Sequence, residues 1–247
     1  FTGRRVVVCG GSKGIGRSTA LGFARAGASV SICARGQAAL DQTAAELKAF
    51  GHTVHAASCD LADGAAIAAY IPAAAKALGG IDILVNNASG FGMGDTDEAW
   101  EAGSSVDVLA TVRASRAALP HLETAKAGAI VNISSISGLR PSARTPAYAA
   151  VKAAVIHYTT SQAAMLARKG IRVNAVAPGS VEFPGGTWEA RRTSDPDLFG
   201  RILKSIPFGR LGTPEEIADV VMFLSSPYAA WVTGQTIVAD GGQILGA

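Results

Sequence analysis

Tyr148 and Lys152 stand four residues apart, and Ser135 lies thirteen residues before the tyrosine. A separation of four puts the phenol and the ammonium on one face of a helix. An ammonium beside a phenol favours the phenolate, which fits the tyrosine to give or take a proton near neutral pH. A serine hydroxyl beside the pair can hydrogen-bond the same substrate oxygen. Alone, Tyr-x-x-x-Lys is a common helix-surface pattern, and it gains meaning only when the chain also holds a cofactor.

The start of the chain has the residues for one. Arg4-Arg5-Val6-Val7-Val8-Cys9 is a short β-branched run, read as a buried strand. Gly10-Gly11-Ser12-Lys13-Gly14-Ile15-Gly16 follows at once, and a helical stretch then runs to Arg25. Strand, glycine turn and helix together present backbone N–H groups to a diphosphate at a helix N-terminus. Gly10, Ser12, Lys13, Gly14, Ile15 and Gly16 are therefore candidate cofactor contacts. Their spacing is Gly-x-x-x-Gly-x-Gly, not the commoner Gly-x-Gly-x-x-Gly. The second strand ends in Ala34-Arg35. An acid there, about 20 residues past the glycines, would hold a ribose 2′-hydroxyl. Arg35 instead suits a 2′-phosphate, and Lys13 adds a second cation, so NADP(H) is expected over NAD(H).

Elements must bring these residues together. Strands are expected near 4–9, 28–34, 53–59, 81–87, 128–134, 171–177 and 235–239, with helical patterns between them. Such alternation gives an α/β fold, a parallel sheet with helices on both faces. Ligands bind outside the carboxyl ends of such strands, where the motifs sit. The helix from Tyr148 to Arg168 is apolar on all sides, which predicts burial on more than one face.

The motifs in order resemble the short-chain dehydrogenase/reductase family over essentially the whole chain. The resemblance rests on Gly10 to Gly16, Asp60, Asn86-Asn87-Ala88, Ser135, Tyr148, Lys152, Pro178-Gly179 and Asp240-Gly241-Gly242. It implies one Rossmann-type, doubly wound domain over 1–247, about seven strands wide, and an oxidoreductase interconverting a carbonyl and a secondary alcohol. Tyr148 would be the general acid in reduction and the base in oxidation. Ser135 would orient the substrate oxygen, and Lys152 would bind the nicotinamide ribose. Asp60 and Leu61 would meet the adenine. Asn87, Ala88, Pro178, Gly179 and Val181 would line the rest of the cofactor. The helices at 103–123 and 148–168 resemble the family's subunit interface, implying a homo-oligomer, most often a tetramer.

The chain departs from the family's pattern in places. Cys9 replaces a usual threonine and Ser89 a usual glycine. Asp107 falls where the family often has an asparagine whose backbone carbonyl holds a relay water, which puts Asp107 among the catalytic candidates. Such a carboxylate, if buried, needs partners. The stretch 183–206 resembles a substrate lid. Phe91, Phe183, Trp188, Leu198 and Phe199 are expected to line an apolar substrate pocket. Phe183 stands where the family often has a threonine touching the cofactor carboxamide, so that contact is not expected.

Composition bounds the rest. At 247 residues, 49% hydrophobic and net charge +3, the chain fits one domain with a large core. No aromatic–basic stripe, membrane-length apolar run or signal peptide is visible, so neither nucleic acid nor membrane is expected as a partner. The chain opens Phe1-Thr2 without a methionine, and an upstream piece is expected. Three cysteines, few and odd in number, fit a reducing cytoplasm, and the histidines show no metal-like grouping, so no metal is expected. The family resemblance implies a small-molecule substrate, with a 3-oxoacyl thioester or related ketone as the candidate class. Alternatives are a sugar, polyol or cyclic-alcohol dehydrogenase, or a non-catalytic dinucleotide sensor.

Overall fold

The computed structural model describes residues 1–245. In chain order the elements are β1 (Arg5–Cys9), α1 (Gly14–Arg25), β2 (Ser29–Ala34), α2 (Gln37–Lys48), β3 (Val54–Ser58), α3 (Gly64–Leu78) and β4 (Ile83–Asn86). Then come α4 (Asp97–Gly103), a π-helical segment (Ser104–Leu109), α5 (Ala110–Thr124), β5 (Ala129–Ile133), a 3₁₀ turn (Ile136–Leu139), α6 (Pro146–Leu166) and β6 (Arg172–Pro178). α7 (Thr187–Ser194), α8 (Pro196–Lys204), α9 (Pro214–Ser225) and β7 (Thr236–Ala239) complete the described chain.

All seven strands form one parallel sheet in the order β3-β2-β1-β4-β5-β6-β7. The period of two along each strand sorts its apolar residues onto two faces. Val6, Val8, Val30, Ile32 and Val85 face α1, α2 and α9. Val7, Leu84, Ile130 and Val173 face α3, α5 and α6. The expected strands each lie within a residue or two of the observed ones. The stretch 183–206 holds two short helices, α7 and α8.

The strand order reverses direction between β1 and β4, and a crevice opens there at the carboxyl ends. At the opposite end Arg5 clamps the same two strands. Its backbone N–H and Nε donate to Asp82 Oδ2 at 2.8 Å, and a terminal nitrogen reaches Oδ1 at 2.8 Å. In the interior Asn86 donates to Asn132 Oδ1 at 2.8 Å, and Asn132 donates to Thr159 Oγ1 at 3.0 Å. This buried ladder ties β4, β5 and α6 into one frame. Asn87 leaves the end of β4 and donates to the Gly10 carbonyl at 2.7 Å, fixing the glycine turn to its neighbour.

Gly16 is the tightest point of that frame. A Cβ there would run into the Gly10 carbonyl oxygen and the Asn87 amide. Backbone cannot move aside cheaply, so Gly16→Ala should destabilise the fold by about 1–3 kcal/mol, as overpacking does. Urea unfolding of the variant against the parent checks this, with the larger loss expected in cofactor affinity.

Candidate active site

One cleft of about 1320 Å³ runs along the carboxyl ends of the strands. That exceeds a usual small-molecule site of about 300–1,000 Å³ and leaves room for a dinucleotide and a second ligand. Gly10, Ser12, Lys13, Ile15, Arg35, Asp60, Leu61, Asn87, Ala88, Pro178, Gly179 and Val181 line it. So do Ser135, Tyr148, Lys152, Phe91, Phe183, Trp188 and Leu198. Gly16 does not line it, being packed beneath the turn. Asp107 does not line it either and is 1% exposed.

The glycine turn is shaped for close approach. Gly10 and Gly14 hold φ of 82° and 50°, which L side chains rarely adopt. A Cβ at Gly10 would meet the Ala88 Cα at 2.9 Å, and one at Gly14 would strike the Phe183 ring at 2.6 Å. The Gly10 and Gly11 N–H groups donate to the Cys33 carbonyl, and the turn opens directly into α1, whose first-turn N–H groups, with the helix dipole behind them, are left for a ligand. These residues fit a dinucleotide diphosphate. Arg35 follows β2, where no acid ends the strand, and Arg35, Lys13 and Asp60 all line the cleft.

The proton-transfer end rests on α6. Pro146 occupies the first turn, where its missing N–H costs nothing. Tyr148 and Lys152 follow one turn apart, and the Lys152 Nζ lies 5.6 Å from the centre of the Tyr148 ring. Ser135 sits in extended backbone just after β5, its Oγ accepting from the Ser137 N–H at 3.1 Å. Ser134 Oγ donates to the Lys152 carbonyl at 2.8 Å, locking β5 to α6.

Lys152 is 2% exposed and its surroundings are unusual. Nζ donates to the Ile133 carbonyl at 2.9 Å and lies 2.8 Å from Asp107 Oδ1. The second contact is an ion pair without hydrogen-bond alignment at Oδ1. Asp107 Oδ2 accepts from the Gly90 N–H at 2.9 Å, and its backbone carbonyl accepts from Thr111 Oγ1 at 2.8 Å. Burial works against the lysine charge. The Asp107 carboxylate and the adjoining Tyr148 outweigh it and hold Lys152 above the ordinary ammonium range. Asp107 reaches the lysine from the π-helical segment, a distortion often found at functional sites.

Phe91 joins the other wall. Its φ of +46° is the one positive value among the non-glycine residues described. Such strain persists only where surroundings enforce it. Its ring stacks on Tyr148, centroids 6.2 Å apart and planes 7° from parallel. Two lid residues lie elsewhere than the sequence grouping implies. Phe183 reaches the cleft from the glycine-turn side, against Gly14 and Gly186. Phe199 turns inward onto Ile206 and Leu211 because it lies on the buried face of α8.

Sequence reasoning missed several lining residues. Gln243 Oε1 accepts from the Ser180 N–H at 2.9 Å and its amide donates to Ser180 Oγ at 3.1 Å. This braces the loop after β6 from the far C-terminal turn, a contact no local pattern announces. Arg140, Arg144 and Arg191 also line the cleft. Two of them lie in the gap between Ser135 and Tyr148, where only charge would have marked them. Cys9, Cys33 and Cys59 are free and buried at the ends of β1 to β3. Hydrogen bonding to Cys33 and burial push the Cys59 thiol well above its ordinary range, so these are packing groups. No cluster of potential metal ligands occurs among the described residues.

A family model described as Enoyl-(Acyl carrier protein) reductase matches residues 10–243. A 2-(S)-hydroxypropyl-CoM dehydrogenase of Xanthobacter autotrophicus is 38% identical over 96% of this chain and 95% of its own. An NADPH-bound short chain oxidoreductase from Pseudomonas aeruginosa, described as containing an atypical catalytic center, superposes with a TM-score of 0.88. It is 36% identical and the match covers 98% of this chain and 97% of that one. A short chain dehydrogenase from Burkholderia cenocepacia in complex with NADP has a TM-score of 0.90 at 33% identity, covering 98% of both chains.

Removing one member of a buried ion pair leaves the other uncompensated, at about 3–5 kcal/mol. Asp107→Leu should therefore lower stability by about that amount at neutral pH, where Lys152 carries its proton. The raised lysine value keeps the pair's contribution intact up to the ordinary lysine range, with loss only above it. Urea midpoints at neutral and alkaline pH check both statements.

Proposed function

Because the chain belongs to the short-chain dehydrogenase/reductase family, we propose that it is an NADP(H)-dependent enzyme interconverting a ketone and a secondary alcohol. The observation that carries the reading is the meeting of Ser135, Tyr148 and Lys152 with the glycine turn and Arg35 in one cleft. A non-catalytic sensor has no need of the first three.

The chemistry a bound nicotinamide supplies is hydride transfer to or from the substrate carbon. This chain's residues manage the oxygen and its proton. Ser135 Oγ donates a hydrogen bond to the substrate oxygen. In reduction Tyr148 gives its hydroxyl proton to that oxygen, and in oxidation it takes the proton back. Lys152 has three donors, of which Ile133 takes one and Asp107 faces another, leaving a third for the cofactor ribose or the tyrosine. Asp107 does not touch the cleft and acts by holding Lys152 and the Gly90 backbone in place.

Arg35 supports NADP(H), since it offers a planar fork to a 2′-phosphate and no acid stands at the end of β2 to take a 2′-hydroxyl. The finer substrate reading is a 3-oxoacyl thioester or related ketone. Its support is the apolar lining of Phe91, Met93, Val106, Trp188, Leu198 and Ile202. No described helix is long and apolar enough to cross a membrane, and the free cysteines fit a reducing, cytoplasmic setting. The outer face of α6 carries Ala150, Ala153, Ala154, Ala164 and a 71% exposed Met165. This flat face favours a homo-oligomer, with the tetramer as the specific proposal.

Tyr148→Phe should lower ketone reduction by about 10²–10⁴-fold, the usual worth of a positioned proton donor. NADPH affinity should stay within about twofold, because the lost hydroxyl serves the substrate oxygen rather than a cofactor charge. Retained turnover would remove the tyrosine from its role. Arg35→Ala should weaken NADPH by about tenfold or more, the worth of a charged hydrogen bond, and leave NADH nearly unchanged. Fluorescence titration with both cofactors reads the difference, and equal losses would assign Arg35 elsewhere.

A further inference from the structure

We propose that the substrate of this cleft carries a compact oxyanion, a carboxylate, sulfonate or phosphate, on an apolar stem, and that Arg140, Arg144 and Arg191 hold it. The inference rests on the reading of the cleft as a ketone/alcohol site and names the class of molecule that enters it.

The three arginines come from two separate segments of the chain. Arg140 ends the 3₁₀ turn after Ser135, and Arg144 lies just before α6, so both stand on the segment between Ser135 and Tyr148. Arg191 comes from the lid helix α7. All three line the cleft. The cleft's lining contains a single acid, Asp60. It follows β3 at the edge of the sheet, on the glycine-turn side, and its Oδ1 accepts from the Ala62 N–H at 3.0 Å. The substrate end thus has three cations and no counter-charge of its own lining.

Elsewhere some arginines are ion-paired and others are not, so what marks these three is their place on the cleft. Arg5 meets Asp82, Arg17 meets Glu46, Arg192 meets Glu182 and Arg210 meets Glu216. Arg140 and Arg144 enter no ion pair among the described residues. Arg191 has only Asp195, one turn along its own helix at 3.8 Å and half-exposed, a contact of little worth.

An arginine donates and never accepts. Three of them lining one cleft call for acceptors, and their planar forks match an oxyanion best. Phe91, 56% exposed, and Met93, 47% exposed, line the same cleft with Trp188 and Leu198 and give it apolar surface. Low-dielectric walls strengthen the attraction of an anion to the rim. A neutral ketone would leave the cations idle.

Calorimetric titration of the NADPH-saturated protein decides the matter without knowledge of the natural substrate. The probes are hexanoate and hexyl phosphate, each against neutral hexanamide. With NADPH bound, the 2′-phosphate site at Arg35 cannot take the anion. At least one anion should bind about tenfold or more tightly than the amide. The Arg140→Ala/Arg144→Ala/Arg191→Ala variant should abolish that preference and keep hexanamide and NADPH affinity. The single variants should each lose part of it. Anions binding no more tightly than the amide, or a preference surviving in the triple variant, would overturn the proposal. Failure of NADPH to bind would sink the cofactor reading instead. The same titrations without cofactor, repeated in Arg35→Ala, would then still accept or reject the anion site.

Discussion

A buried ammonium has to be satisfied, and much of this structure is arranged around that of Lys152. An ion of its size taken out of water costs several kcal/mol unless paired and hydrogen-bonded. The compensation comes from separate parts of the chain. β5 supplies the Ile133 carbonyl, and the π-helical segment supplies Asp107. The titratable groups that bear on the lysine are few. Asp107 comes from the segment packed on α6, and Tyr148 comes from α6 itself. On α4 the acids Asp97, Glu98 and Glu101 are exposed, and on β6 Arg172 lies at the opposite end of the strand. The carboxylate therefore sets the lysine's environment almost alone, and through Gly90 it also holds the loop that carries Phe91 over the tyrosine.

The sheet and the glycine turn were legible in the sequence because their causes are local. β-branched runs such as Val6-Val7-Val8 state strands by themselves, and Gly14 before Gly16 states a turn into a helix. The meeting of Ser135 with Tyr148 was legible only through the family resemblance. Its physical cause, the Asn86–Asn132–Thr159 ladder and the Ser134 bond to α6, spans elements far apart in the chain. Asp107 was visible as an oddity, but not its partner, since nothing in Val106-Asp107-Val108 says that a π-helical turn aims the carboxylate at Lys152. The lid was the least legible part. Its helices are short, and which apolar residue faces the cleft depends on α8 rotating Phe199 inward while Leu198 stays at the wall.

The lid and the body are joined by a small number of polar contacts. Glu182 takes a bidentate grip from Arg192, whose guanidinium also lies 4.7 Å from the Phe199 ring centre. Behind it, Gln243 fixes the loop from Pro178 to Ser180, and Asp240 orders the C-terminal turn by accepting from the Gly242 and Ile244 N–H groups. The loop beside the reacting end is thus held by the C-terminal turn, whereas the lid helices pack mainly on their own cluster of Phe199, Ile206 and Leu211. Rigidity is concentrated where proton transfer needs fixed geometry, and the lid is the part left lightly anchored.

The strand order also governs the sequence of events as the chain folds. β1, β2 and β3 can associate once Ser58 has been made, but the other edge of β1 stays open until Ile83–Asn86 arrives. The Gly10 carbonyl waits for Asn87 in the same way. During synthesis, a half-sheet with one bare central edge therefore precedes the closed sheet, and bare edges invite wrong partners. β4 is both the strand that closes this edge and the one that completes the glycine turn. Protection from misassembly and competence to take up a dinucleotide thus arrive in the same step.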